Sequence, residues 1–256
     1  MTWQVTQVTM IAVLLGSIRA AVWLTICPPL ATRGIPGPVK GLLSVAIALP
    51  MAPMLARSLP PTMSLWEVIV SAIMQAVIGG ALGFLTYLLF SAVQSAGAFI
   101  DLFGGFSIAF TFDPFAYTSN AVFGRFYQLV GTTLLFVTDG HQVILAGFLR
   151  SYRALPLNST MSLEVLKSLL VDGVGQMFLA AIEIAGPLIA VLFLADVALG
   201  LLNRVAPALN ALNLGFPAKI LLTLVIAGSA LAVLPGACEA LVVRASEAML
   251  ALFDGS

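Results

Sequence analysis

The chain has 256 residues, of which 61% are hydrophobic and only 9% charged, and its 11 Lys/Arg balance its 11 Asp/Glu. Soluble domains carry about a quarter charged residues, so this composition argues against a soluble globular protein and for an integral membrane protein. Zero net charge leaves no basic surface for nucleic acid, and two cysteines are too few for a disulfide scaffold or a four-ligand metal site. Cys27 and Cys238 read as buried thiols acting as small hydrophobes.

A membrane-crossing helix needs about 20 mostly apolar residues. Six stretches meet that need. The first runs from Val8 to Cys27 and ends at Pro28-Pro29. No basic stretch precedes it and no small-residue cleavage site follows it, so it is expected to remain in the mature protein. The second runs from Val39 to Leu55, before Arg57 and Pro60-Pro61. The third, Trp66 to Gly97, is long enough to tilt or to extend out of a bilayer. The fourth covers Val122 to Leu149, the fifth Leu169 to Leu202 with Pro187 inside, and the sixth Phe216 to Val243 with Pro235 near its end. A short C-terminal helix carrying Glu239, Arg244 and Glu247 is expected to continue from the sixth. Internal prolines predict kinks, since each removes a backbone hydrogen bond. With no strong repeat and no low-complexity stretch, one membrane domain is expected.

Loop charge should set orientation, but here it ties. Arg33, Lys40, Arg125, Arg204 and Lys219 fall on one side, and Arg57, Arg150, Arg153, Lys167 and Arg244 on the other. Arg19, Glu183 and Asp196 lie inside apolar segments, where each costs about 2.5–3.5 kcal/mol at a helix centre on insertion scales. Two readings stand. Either these groups sit near helix ends and reach the interface, or they face protein or water, with neighbouring subunits satisfying them.

Three function classes compete. An enzyme would use Ser107 and the single histidine, His141, as nucleophile and base. That signal is weak: Gly-x-Ser is common in apolar chains, and His141 follows Asp139-Gly140 at an expected helix break. No phosphate loop, metal-ligand spacing or dinucleotide fingerprint is present, so no cofactor or metal is expected. A secondary transporter would use Glu183, beside the Gly186-Pro187 break, together with Asp196; the same break also suits simple close packing. An assembly subunit would use small residues at helical spacing. Gly79, Gly80 and Gly83, followed by Ser91, Ser95 and Gly97, allow helix backbones to approach closely.

Two irregular stretches carry the most information. Gly104–Asn120 (GGFSIAFTFDPFAYTSN) is too broken for a membrane helix and too aromatic for an ordinary loop. The stretch 203–219 joins two long apolar segments. Its prolines Pro207 and Pro217 and its Gly215 are expected to stop the helices, Asn210 to bond freed backbone groups, and Lys219 to restart the next segment. Irregular backbone at this depth is tolerated only when protein or water surrounds it.

Pro207-Ala208-Leu209-Asn210, Gly215, Pro217 and Lys219 resemble the Pro-x-Leu-Asn-x-x-x-x-Gly-x-Pro-x-Lys signature of the FliR/SctT family of type III export apparatus proteins. Further matches stand in family order: Ile35-Pro36, Val39-Lys40, Pro50, Gly79, Gly83-Phe84, Gln94, Gly97, Ile100-Asp101, Gly105-Phe106-Ser107, Asp113-Pro114, Gly140-His141, Ser151-Tyr152, Leu155-Pro156, Pro187, Asp196 and Gly200. The chain departs at Phe103-Gly104 and Ala208, where many relatives have Gln.

The resemblance implies an all-α protein of about six long apolar helices or helical hairpins, several kinked, packed into a multi-subunit export gate. It implies a pore-forming, non-catalytic subunit that assembles with FliP-type and FliQ-type subunits, and with other membrane proteins of the apparatus, to pass unfolded substrates across the bacterial inner membrane. The assembled core would stand raised toward the periplasm, within a flagellar basal body; Asp139-Gly140-His141 favours the flagellar branch over the virulence SctT branch. In this family the segment after the third helical stretch contributes to a plug. Here that assigns Gly104, Gly105, Phe106, Ser107, Phe110, Phe112, Asp113, Pro114 and Phe115 to a gate loop, with Pro207, Asn210, Gly215, Pro217 and Lys219 in an assembly connector. Aromatic side chains keep such a constriction dry, and glycines supply a hinge.

Overall fold

Prolines and caps divide the apolar stretches into helices. The computed structural model describes residues 2–31, 34–106, 121–159, 162–205 and 211–254, and all regular structure among them is helical. The helices are α1 (Thr2–Ile26), α2 (Gly37–Ala56), α3 (Leu65–Phe103), α4 (Val122–Val137), α5 (Gly140–Ala154), α6 (Leu163–Val205), α7 (Ala211–Ala230) and α8 (Leu234–Asp254). Four of them are long and apolar enough to cross a membrane, or up to six spans if each bent pair, α4–α5 and α7–α8, counts as one. The all-α expectation of about six apolar segments therefore holds.

Local chemistry moves several boundaries from their expected places. Ser64 and Glu67 form a capping box: the Ser64 N–H donates to Glu67 Oε2 at 2.7 Å, and the Glu67 N–H to Ser64 Oγ. From that start α3 runs 39 residues, six beyond the expected Gly97. At 1.5 Å per residue it spans about 58 Å, nearly twice a hydrocarbon core of about 30 Å. Ser162 likewise caps α6 through the Val165 N–H, starting it six residues before Leu169.

The fourth and sixth stretches are each broken rather than continuous. After Val137, Asp139 adopts a left-handed φ of 57°, which an L-residue enters at a cost and a helix cannot contain. Gly140 then begins α5. The sixth stretch breaks at 231–233, because Pro235 has no N–H to bond the Leu231 carbonyl and its ring crowds it, while proline is well placed in the first turn of the next helix, α8.

The connector also differs from its expected form. Gly215 and Pro217 do not stop a helix; both lie inside α7, which begins at Ala211. Lys219 is therefore two turns into that helix and does not restart it. Pro187 is carried within the unbroken 43-residue α6.

The chain forms two compact units. One comprises residues 1–88, 141–174 and 242–256, so α1, α2, the first part of α3, α5, the start of α6 and the end of α8 build it. Its core is unusually small-featured. Gly79 on α3 lies against the Arg19 carbonyl of α1, where no Cβ would fit, and one turn on a Cβ at Gly83 would sit 2.9 Å from Ile26 Cβ. The small-residue spacing on α3 thus brings α1 into near-backbone contact. Gly16 of α1 leaves room for side chains of α2, since a Cβ there would meet Leu55 Cδ1 at 2.9 Å and Ala48 Cβ at 3.3 Å. Trp23 stacks on Phe148 with ring centroids 4.3 Å apart.

The other unit comprises residues 89–140 and 175–241, bringing in the rest of α3, α4, most of α6, α7 and the start of α8. Gly131 of α4 packs on Val93 of α3, and Ser95 approaches Met177 of α6. Cys27 and Cys238 are both buried free thiols. Large apolar side chains remain exposed on α2, α3, α6 and α7, among them Leu42, Trp66, Phe178, Leu194 and Val225, as expected of helices covered by lipid or by other subunits.

Candidate functional site

The segment singled out in the sequence begins as α3 ends. Gly105 has φ 84°, a left-handed conformation that glycine adopts without penalty and that closes the helix. Gly104 donates its N–H to Ile100 O at 2.7 Å, and a Cβ on it would meet Thr223 Cγ2 of α7 at 2.8 Å. Phe106 then makes an edge-to-face contact with Phe123, ring centroids 5.2 Å apart. Ser107, Phe110, Phe112, Asp113, Pro114 and Phe115 lie outside the described residues, as do Pro207 and Asn210.

The described residues resume at Ala121. Helix α4 starts at Val122, and Ala121 before it offers no side-chain cap. Asp101, in the last turn of α3, supplies it instead. The Phe123 N–H donates to Asp101 Oδ1 at 3.1 Å, and the Gly124 N–H to Oδ2 at 3.0 Å. The carboxylate is only 4% exposed, so these donors replace water at the positive end of the α4 dipole. A cap of this kind is worth about 0.5–2 kcal/mol. Gly97, four residues earlier on the same face of α3, makes the approach possible: a Cβ there would overlap Phe123 O and lie 2.8 Å from Gly124 Cα. Residues 97–106 and 121–124 therefore meet in one tight junction.

That junction rests on a second polar group. Thr223, fully buried beside Gly104, donates to Lys219 O at 2.8 Å. The Lys219 ammonium in turn binds both oxygens of Asp196 on α6, at 2.6 and 2.7 Å. Lys219 is 11% exposed and Asp196 46%. Two residues assigned separately from sequence, one to the connector and one to the intramembrane charges, thus form a single ion pair.

Arg19 corrects another expectation. No neighbouring subunit is needed to satisfy it. It is fully buried and donates from Nε to Gln75 Oε1 at 2.7 Å, from Nη1 to Ser151 O at 2.9 Å and to Ser151 Oγ at 3.3 Å, and from Nη2 to Leu155 O at 2.8 Å. It also lies 4.7 Å from the Tyr152 ring centroid. Ser151 and Leu155 end α5, so the guanidinium neutralises the negative end of that helix and fills its orphan carbonyls. Gln75 Nε2 continues the network to Leu157 O at 3.2 Å, and Tyr152 donates to Gly16 O at 2.6 Å.

Glu183 and Pro187 are exposed on α6. Thirteen residues separate Glu183 from Asp196 along that one helix, about 20 Å, so the two acids do not form one binding site. His141 is half-buried in the first turn of α5. Among the described residues, no three His, Cys, Asp or Glu side chains are grouped as metal ligands would be.

The model of the family described as bacterial export proteins, family 1, matches residues 10–245. The chain belongs to this family. It is 30% identical over 228 residues to the flagellar biosynthetic protein FliR of Escherichia coli (strain K12), covering 87% of this chain and 85% of that protein. It is 29% identical over 213 residues to the FliR of Bacillus subtilis (strain 168), covering 82% of each. It is also 31% identical over 157 residues to the secretion system apparatus protein SsaT of Salmonella typhimurium, covering 59% of this chain and 60% of that one. The resemblance drawn from the ordered Gly, Pro and Asp positions is confirmed, and this family of export proteins includes both flagellar and secretion-system members.

Asp101, Gln75 and Tyr152 were not assigned roles from sequence. Gln75 and Asp101 did leave a signal: each is a strongly polar side chain set among apolar neighbours on α3. Asp101 was obscured because the third apolar stretch was ended at Gly97.

Proposed function

We propose that this export protein is the FliR-type subunit of a flagellar type III export gate in a bacterial inner membrane. It joins FliP-type and FliQ-type subunits around the path of unfolded substrates and performs no chemistry of its own. The observation that carries the reading is the family match over residues 10–245, with flagellar relatives aligned over more than four-fifths of the chain. The assembled core stands toward the periplasmic side, and the driving force comes from other components.

Within that gate, residues 104–120 act as the plug. Three observations support this role: the segment is rich in Phe and Gly, the chain turns out of α3 at Gly105, and Asp101 binds the start of α4, which follows the segment. A constriction anchored at one point can fill a pore when idle and be displaced by a passing chain, while aromatic side chains exclude ions by dewetting. The region 203–219 serves assembly. The match to SsaT favours a second reading, in which the chain serves a virulence secretion system.

Co-expression tests both. The tagged chain, purified in mild detergent with the FliP-type and FliQ-type proteins of the same genome, is expected to appear as a minor subunit of one stable complex. A deletion strain is expected to lose motility and to regain it with the intact gene. A monomer or homodimer that ignores those partners would overturn the gate. A motile deletion strain that fails to secrete effectors would move the chain to the virulence branch.

A further inference from the structure

Helices α1 and α2 leave a groove along one side of their seam, about 550 Å³ in volume. Thr9, Val13 and Ser17 of α1 form one wall, and Val45 and Leu49 of α2 the other. Both hydroxyls in it are already committed: Ser17 donates to Leu14 O at 2.8 Å, and Thr9 also has a partner. What the groove offers an occupant is therefore apolar surface. Met10 borders this groove and also a second hollow of about 410 Å³, where Gln7, Val8 and Ile11 face residues 59–63. The two adjoin along α1 from Gln7 to Ser17. Those ten steps of helix are about 15 Å long, half of a hydrocarbon core of about 30 Å and so the depth of one leaflet.

The two ends of this trough differ. Residues 59–63 are flanked by Arg57, exposed at the C-cap of α2, and by Trp66, 72% exposed in the first turn of α3. Gln7 is exposed at the same end. Glu67, the acid beside Trp66, is occupied by the Ser64 N–H and hydroxyl. Exposed tryptophan is enriched at the level of lipid headgroups, and an arginine at that level attracts anionic ones. Toward Ser17 the walls are apolar side chains and satisfied hydroxyls. A cationic and aromatic rim over an apolar trough one leaflet deep has the polarity of a phospholipid, charged at one end and hydrocarbon along its length. A helix of another subunit has no need of that gradient.

We propose that the chain holds one anionic phospholipid at this corner, with an acyl tail in the groove between Val13 and Leu49 and the phosphate at Arg57. The inference needs only the membrane setting and stands apart from the gate reading above.

The test uses the full-length chain without partners, in phosphatidylcholine nanodiscs doped with spin-labelled phosphatidylglycerol. Electron paramagnetic resonance reads the motionally restricted lipid, with spin-labelled phosphatidylcholine as reference. Wild type is expected to prefer phosphatidylglycerol about fivefold at low salt, the effect of one cation near the membrane surface, and to lose much of that preference at high salt. Arg57→Gln is expected to hold the two lipids equally. Leu49→Trp fills the groove from α2 and Val13→Phe from α1. Each is expected to abolish the preference, and each carries the test if the other yields no monodisperse protein. Leu194→Trp, at an exposed apolar position on α6, is expected to behave as wild type. A wild-type chain without preference would overturn the proposal, as would a preference that survives Arg57→Gln or both groove-filling variants. Adding the FliP-type and FliQ-type proteins is expected to leave the restricted lipid in place. Its displacement by them would give the groove to a partner helix and overturn the lipid.

Discussion

Lys219 grips both carboxylate oxygens of Asp196, at 2.6 and 2.7 Å, and so joins α7 to α6. The lysine end of the pair is nearly out of water and its aspartate end is not. Exposed pairs are worth up to about 1 kcal/mol, whereas stranding a buried charge costs about 3–5 kcal/mol, which places Asp196→Ala near 2 kcal/mol. At that cost Tm in detergent is expected to fall by roughly 4–8 °C. The swap Asp196→Lys/Lys219→Asp is expected to recover part of the loss, and a swap no better than the single variants would show that the pair contributes little.

Arg19 is a stricter case. Arg19→Met leaves Gln75, Ser151 O and Leu155 O buried without their donor, at about 1 kcal/mol or more for each. Little folded protein is expected, judged by monodisperse yield in size exclusion. Arg19→Lys keeps the charge but not the planar fork that reaches three residues at once. It is expected to fall between Met and wild type. A lysine variant of full stability would show that charge alone matters here.

The third prediction separates crowded glycines from free ones. Gly79→Ala must displace α1 from α3, because its methyl would overlap Arg19 O, and a cost of about 1–3 kcal/mol is expected from such overpacking. Gly200 has nothing within 4 Å. In the isolated chain, Gly200→Ala is expected to stabilise α6 by about 0.5–1 kcal/mol, through the helix preference of alanine. Thermal melts of the two variants in one detergent should move in opposite directions.

Much of this architecture was legible because membrane helices carry a strong signal: a long apolar run between prolines. Val39–Leu55 falls within two residues of both ends of α2 for that reason, and Val8–Cys27 meets the end of α1 within one residue but starts six residues late. The glycine spacing at 79 and 83 correctly announced close helix contact. Boundaries failed where a single side chain decided them, as Ser162 does for α6 and Asp139 for the α4–α5 break. Pro217 misled in the opposite direction: membrane helices tolerate proline, so Pro217 lies inside α7 without ending it. The site was less legible than the fold. Sequence located the aromatic segment but not the Asp101 junction, because the cap lies more than twenty residues from the amides it serves. It named Asp196 and Lys219 without pairing them for the same reason.

The distance between Arg19 and its acceptors has a consequence for how the protein is made. Synthesis runs from the N-terminus, and Ser151 and Leu155 follow Arg19 by 132 and 136 residues. Helix α1 must therefore be held, with a bare guanidinium, until α3 has supplied Gln75 and the end of α5 has been translated. Its burial is a late step, and closing the Arg19 network marks the point at which the first and fifth helices commit to each other.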